Sequence, residues 1–190
     1  WGEMLRPMAS SAPVPDVIAE LCGRLANMVA AAVADGVRFA VIGGDHSCAV
    51  GTWSGVSNAL APEGPLGLIW VDAHMDSHTP ETTPSGTYHG MPLASLLGHG
   101  DAALTGLAQP GPALLPQHVC LVGVRSYEPA EPALLNRLGV RIFTADDVRR
   151  RGIDTVMREA AAIVGEGTAA TGISIDLDAI DPDAAPGVGS

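Results

Sequence analysis

Three short stretches concentrate the side chains able to do chemistry: Gly43-Gly44-Asp45-His46-Ser47, Asp72-Ala73-His74-Met75-Asp76, and Ser174-Ile175-Asp176-Leu177-Asp178-Ala179-Ile180-Asp181-Pro182. In extended backbone, positions i, i+2 and i+4 project to one face. Asp72, His74 and Asp76 can therefore converge, as can Asp176 and Asp178, whereas the same spacing on a helix would scatter them. A lone Asp or His after a strand is usually a helix cap or a turn former, and that would suffice for His46 taken singly. It does not suffice for Asp72 to Asp76. Three ionisable groups within five residues repel or neutralise one another unless a cation intervenes. Four carboxylates and two imidazoles exceed the three or four protein ligands of a single catalytic zinc. The set points to two divalent ions. Oxygen-rich coordination with some imidazole favours a hard or borderline ion such as manganese, while cobalt, nickel, iron or zinc could also be held.

The elements that would position these residues can be read from the apolar pattern. Val14, Val17, Ile18, Leu21, Leu25, Met28, Val29 and Ala32 fall at helical spacing over residues 14–35. Short β-rich runs follow at Val37–Ile42, Leu66–Val71, Val119–Val124, Val140–Phe143 and Thr171–Ile175. Between them, Met91–Leu97, Pro129–Leu138 and Asp154–Val164 read as helices, Ser77–Thr87 as a long loop, and Gly98–Pro116 as a surface excursion. Alternating strands and helices, with apolar strands, imply a parallel sheet covered on both faces. In such folds functional groups gather beyond the C-terminal strand ends. His46, Asp72, Arg125 and Asp176 each follow one of these strands, so all four would share one edge.

Composition narrows the classes. The chain has 190 residues, enough for one domain with a proper core, and 47% of them are hydrophobic. Net charge is -11 and all ten basic residues are arginine, with no basic stripe to bind nucleic acid. The acidic balance suits a cationic small molecule. Cys22, Cys48 and Cys120 lie far apart, form no zinc-type spacing, and read as buried thiols in a reducing, cytoplasmic setting. Neither a membrane-spanning run nor a signal peptide is read, so no membrane partner is expected. The chain opens at Trp1, and its natural N-terminus is expected to lie further upstream.

The three segments, in this order, resemble the signature motifs of the ureohydrolase superfamily, which includes arginase, agmatinase and formiminoglutamase. The likeness runs from about Val37 to Gly187 and is strongest to arginase. It implies an α/β fold of three layers (α/β/α) around a central, mostly parallel sheet, here a single domain over residues 1–190. It also implies two manganese ions per chain and hydrolysis of a guanidinium group to urea and an amine. His46, Asp72, Asp76 and Asp176 would hold one ion; Asp72, His74, Asp176 and Asp178 would hold the other, with Asp72 and Asp176 bridging. His89 matches the family's proton-shuttle histidine and Asp76 a catalytic ligand. Without that role, His89 would simply cap the helix beginning near Met91. Ser85 and Glu128 match positions that bind the α-carboxylate and α-ammonium of arginine, although Glu128 could equally be a solvated residue in a helix's first turn. His78 and Thr87 stand where asparagine is common. Asp45 and Asp181 read as supporting or capping residues.

L-Arginine, cleaved to urea and L-ornithine, is the expected substrate, with agmatine or another guanidino acid as the alternative. A related single-zinc deacetylase would usually carry a paired histidine, which this chain lacks. A catalytically silent binding or assembly module of the same fold would have no reason to keep six buried polar ligands. The resemblance further implies a trimer or hexamer of the full-length protein. It also implies additional strands and a downstream glutamate that clamps the guanidinium. The chain is thus expected to be a truncated fragment, inactive by itself.

Overall fold

The computed structural model describes residues 3–6 and 13–188; residues 1–2, 7–12 and 189–190, part of the expected single domain, lie outside it. Four strands form one sheet: β1 (Leu66–Val71), β2 (Val119–Val124), β3 (Arg141–Thr144) and β4 (Ala170–Ile175). Their order is β3-β2-β1-β4, and every neighbouring pair is parallel. The seven helices among the described residues are α1 (Val14–Ala34), α2 (Cys48–Leu60), α3 (Pro92–Leu96), α4 (Ala102–Thr105), α5 (Ala130–Leu138), α6 (Ala145–Arg151) and α7 (Ile153–Gly165).

Strand alternation divides the core into two halves. Leu66, Leu68, Trp70, Val119 and Leu121 point to one face, where they pack with Val29 of α1, Val56 and Leu60 of α2, and Leu93 and Leu96 of α3. Ile69, Cys120, Val122 and Phe143 point to the other, against Val156, Ala160 and Val164 of α7. The sheet is therefore the middle of three layers. Each such apolar side chain contributes about 1.5–3 kcal/mol on burial, which is why the central strands carry almost no polar residue.

Helices α1 and α2 approach backbone to backbone. A Cβ added at Gly51 would sit 2.5 Å from the Cys22 carbonyl oxygen, and one at Gly55 would sit 2.4 Å from that of Ala26. Only hydrogen fits there. α1 is also, by length and a hydropathy of 1.6, apolar enough to cross a membrane, against the expectation that no such run exists. Here it lies along α2 with Cys22, Ala26 and Val29 buried.

Other features also differ from what the sequence led us to expect. Val37–Ile42 pairs with no strand among the described residues, and Val37, Phe39 and Ile42 are exposed. β-Propensity expresses packing on a pleated neighbour, and no neighbour is there to pair with. The outer edge of β4 likewise has no strand beside it among the described residues, and Ile173 and Ile175 are exposed. α2 and α6 were not anticipated. The first is built from small residues without a clear apolar period; the second starts at a capping box, in which Thr144 and Asp147 exchange side-chain-to-backbone bonds. The excursion Gly98–Pro116 contains α4, whose first turn is capped by Asp101 accepting the Ala103 N–H at 2.8 Å.

Candidate metal centre

The site forms where β1 and β4 end. The strand ladder runs on one step past both: the Asp176 N–H donates to Val71 O (2.9 Å), and the Asp72 N–H donates to Val122 O (3.0 Å). Beyond that step the backbone leaves the extended form, so the expected single extended face is not how the ligands meet. Asp76 has φ 49°, in the left-handed region. Asp178 sits on a 3-10 turn, Leu177–Ala179, closed by Asp176 Oδ1 accepting the Asp178 N–H at 3.1 Å. His46 lies in the turn that leads into α2 rather than after a strand. Bends, not strand pleat, bring the three segments together.

Their side chains converge nonetheless. His46 Nδ1 lies 3.1 Å from Asp72 Oδ2, 2.9 Å from Asp76 Oδ2 and 3.2 Å from Asp176 Oδ2. His74 Nδ1 lies 3.0 Å from Asp178 Oδ2 and 3.6 Å from Asp72 Oδ1. Asp72 thus turns one oxygen to each imidazole. Its position is fixed by N–H groups: Trp70 Nε1 donates to Oδ2 (3.0 Å) and the His74 amide to Oδ1 (2.8 Å). The His46 ring stacks on Trp70 at 4.3 Å between centroids, and its Nε2 meets Ser174 Oγ at 3.0 Å. That contact directs Nδ1 into the cluster. Trp70 and Ser174 lie on β1 and β4, directly paired in register, so the sheet itself aims the histidine.

Crowding of charge perturbs every member. Burial opposes protonation of His46, but the carboxylates of Asp176, Asp72 and Asp76 outweigh it and push the imidazole up to about 12. The Asp72 carboxylate raises His74 to about 9. Asp76 is pushed up to about 6, first by burial and then by the charge of Asp72 against the pull of His46. Burial would raise Asp72, yet the two imidazoles hold it well below the usual carboxylate range. His46 lowers Asp176, while burial and the neighbouring aspartates raise Asp178. Imidazole protons and N–H donors offset part of this charge, a role that divalent cations fill better.

The donor set fits such ions on its geometry. His46 Nδ1 is buried with three carboxylate oxygens around it, yet it makes no hydrogen bond of proper direction. Lone pairs aimed at a common point between them are what metal ligation requires. Two triads of ligand atoms lie close enough to hold an ion, His46–Asp72–Asp176 and Asp72–His74–Asp178, and they share Asp72. A third triad, His78–Glu128–Glu131, is different. Its atoms are joined by directed hydrogen bonds: His78 Nε2 to Glu128 Oε2 at 3.0 Å, and Glu131 accepting the backbone N–H groups of Ser77 and Glu128.

Both parts open into one cavity of about 400 Å³. His46, His74, Asp76, Asp176 and Asp178 line its floor, with Asp72 buried beneath; His78, Ser85, Thr87, His89 and Glu128 line the rest. Every candidate metal, proton-transfer and substrate residue read from the sequence is therefore in or directly beneath this cavity, whereas Arg125 and Asp181 lie outside its lining. His89 is exposed on a 3-10 turn, Tyr88–Gly90, and its side chain caps no helix. Ser85 Oγ and Thr87 Oγ1 bond to each other at 2.6 Å. Glu128 is exposed but tied to His78, whose hydrogen bond lowers its pKa. Asp45 accepts the Ser47 N–H at the start of α2, and Asp181 accepts the Asp183 N–H, so both act as turn formers. Three contributors went unread, Glu131, Ser174 and Trp70, while Arg125 was placed at this edge but given no role. Glu131 follows Glu128 by one helical turn, a spacing that could have flagged it.

Comparison with known proteins gives the family. The arginase-family model matches residues 8–190. The chain belongs to the arginase family. Among curated relatives, arginase from Bacillus caldovelox is 44% identical over 173 residues, covering 91% of this chain and 57% of its own length. Arginase from Brevibacillus brevis is 40% identical over 175 residues, covering 92% and 58%. The crystal structure of arginase from Bacillus cereus superposes with a TM-score of 0.88 at 35% identity, covering 98% of this chain and 63% of that one. This arginase-family chain thus spans under two thirds of the length of these relatives.

Proposed function

We propose that this chain carries the metal-binding part of a hydrolase that cleaves the guanidinium group of L-arginine to urea and L-ornithine. One observation carries the reading: two imidazole–carboxylate triads sharing Asp72 on the floor of a cavity whose rim carries His89 and Glu128. His46, Asp72, Asp76 and Asp176 would hold one ion, and Asp72, His74, Asp176 and Asp178 the other. Oxygen-rich ligation favours a manganese pair, with cobalt, nickel, iron or zinc as substitutes. Bound there, the ions would make a water nucleophilic near neutral pH, the step a resonance-stabilised guanidinium most needs.

The chain's own residues divide the remaining work. Asp72 and the aspartates beside it bring enough negative charge to attract a cationic guanidinium as well as the ions. Exposed in the cavity mouth, His89 is free to carry a proton to the departing amine, a task suited to an imidazole. Glu128 and Glu131 offer carboxylate oxygens to an α-ammonium, and Ser85, Thr87 and His78 offer donors to an α-carboxylate. An amino-acid head group matches that mixture better than the bare amine of agmatine.

The test is urea release by the natural full-length protein loaded with manganese, comparing arginine, agmatine and guanidino acids. Preferential turnover of arginine is expected. Equal or faster turnover of agmatine would overturn the substrate assignment. No urea from any of the three, despite two bound ions, would overturn the activity.

A further inference from the structure

Arg125 stands at the C-terminal end of β2 and reaches across β1 to the loop after β4. Its backbone N–H donates to Ala73 O at 2.8 Å. Its guanidinium donates to three successive carbonyls of the turn that carries Asp178: to Ala179 O at 3.1 Å, to Ile180 O at 3.1 Å, and to Asp178 O itself. Asp178 closes the circuit, since its Oδ1 accepts the Ala73 N–H at 3.3 Å while its Oδ2 faces His74. One arginine thereby ties the Asp72–Asp76 segment to the Asp176–Asp178 segment.

A 3-10 turn leaves its terminal carbonyls without internal partners, and a planar guanidinium with five N–H donors is suited to gather several of them. The short turn has no buried apolar anchor, because Leu177 and Ile180 are exposed. The clasp adds to the Ala73 and Asp176 bonds of Asp178 in setting its distance from His74. The opposite triad has separate supports: Trp70 and Ser174 hold His46, and the Asp76 carbonyl is bonded to the first turn of α3.

We infer that Arg125 is the positioning residue for one ion of the pair: by clasping the carbonyls of residues 178–180 it sets the Asp178–His74 half of the centre and leaves the His46–Asp76 half independent. This rests on the two-ion reading above. It assigns to Arg125 an effect on metal affinity that a general contribution to folding would not produce.

The experiment is manganese titration of the metal-free, natural full-length protein, by calorimetry and by electron paramagnetic resonance, which separates a spin-coupled pair from isolated ions. Wild type, Arg125→Ala, Arg125→Lys and Asp178→Asn are compared. Arg125→Ala is expected to weaken one ion by about 10-fold or more, to keep the other near wild-type affinity, and to lose the coupled signal at low manganese. Asp178→Asn should weaken the same ion. Lysine restores a cation with fewer donors, so Arg125→Lys should fall between wild type and Arg125→Ala. Wild-type affinity for both ions in Arg125→Ala would overturn the inference, as would equal weakening of both. Failure of the wild type to bind two ions would overturn the metal reading and the inference with it, a result distinct from either.

Discussion

The carboxylate of Asp72 is shared between His46 and His74, one oxygen for each imidazole, at 3.1 and 3.6 Å. Replacing it with asparagine removes the charge and one of the two acceptor oxygens. Asp72→Asn should therefore weaken both ions, each by about 3 kcal/mol or more, the usual cost of removing one partner from a buried charge pair. Asp76→Asn should weaken mainly the ion near His46, since Asp76 faces that imidazole alone. Calorimetric manganese titration distinguishes the two patterns, and identical profiles would contradict the shared geometry.

Ser174 supplies the outer hydrogen bond of His46, at 3.0 Å. Groups that orient a metal-ligating histidine typically contribute 10–100-fold in affinity or activity. Ser174→Ala should lower affinity for the His46-side ion by about 10-fold and leave the unfolding midpoint of the metal-free protein nearly unchanged. An unchanged metal isotherm would show that stacking on Trp70 alone suffices.

The protonation pattern gives a pH dependence with a definite sign. His74 is raised from 6.5 to about 9 and Asp76 from 3.8 to about 6. Across each of those intervals the folded chain holds a proton that the unfolded chain has released, so raising the pH favours unfolding. His46, raised from 6.5 to about 12, acts in the same direction. Thermal unfolding in chelator should therefore show a melting temperature that falls from pH 6 to pH 9. Manganese displaces the protons, so the stabilisation that it adds should grow over the same range. A metal-free protein that gained stability with alkali would contradict the assignment.

Glu128 tests the head-group reading. Glu128→Gln should raise KM for arginine about 10-fold or more, the loss of one charge-assisted hydrogen bond, with kcat little changed and no comparable effect on agmatine. Steady-state urea assays on the full-length protein provide the comparison. An equal rise for both substrates would mean that Glu128 shapes the loop rather than meeting an ammonium.

Gly51 and Gly55 test the scaffold. A methyl group at either would press on an α1 carbonyl at 2.5 Å or less. Gly51→Ala should destabilise the protein by about 1–3 kcal/mol, the usual cost of overpacking, seen as a lower denaturant midpoint at unchanged slope. A neutral substitution would show that the helices can part freely.

Legibility in the sequence followed how local the cause was. Leu66–Val71 and Val119–Val124 were readable to the residue, because a strand buried on both faces admits only apolar side chains. The six candidate ligand residues stood out because five of them crowd charge into two short segments just past strands. Val37–Ile42 is apolar like those strands apart from Arg38 and is not one here, since pairing depends on a partner that the run cannot encode. α2 escaped because its period lies in glycines and serines chosen for closeness to α1 rather than for apolarity. Arg125 was legible as a strand-end residue, but what it bonds to, like the role of Ser174, was not. Their partners are 53 and 128 residues away, and only the folded sheet brings them together.

Asp76 holds a left-handed backbone conformation that most side chains avoid. Glycine would suit that conformation better, and asparagine at least as well, yet neither can supply an anionic oxygen to the neighbouring imidazole. Substitution there should make the polypeptide sturdier and chemically useless at once. Selection for thermal robustness alone would drift toward losing this aspartate, so on the proposed metal-holding role its presence trades durability for ligation.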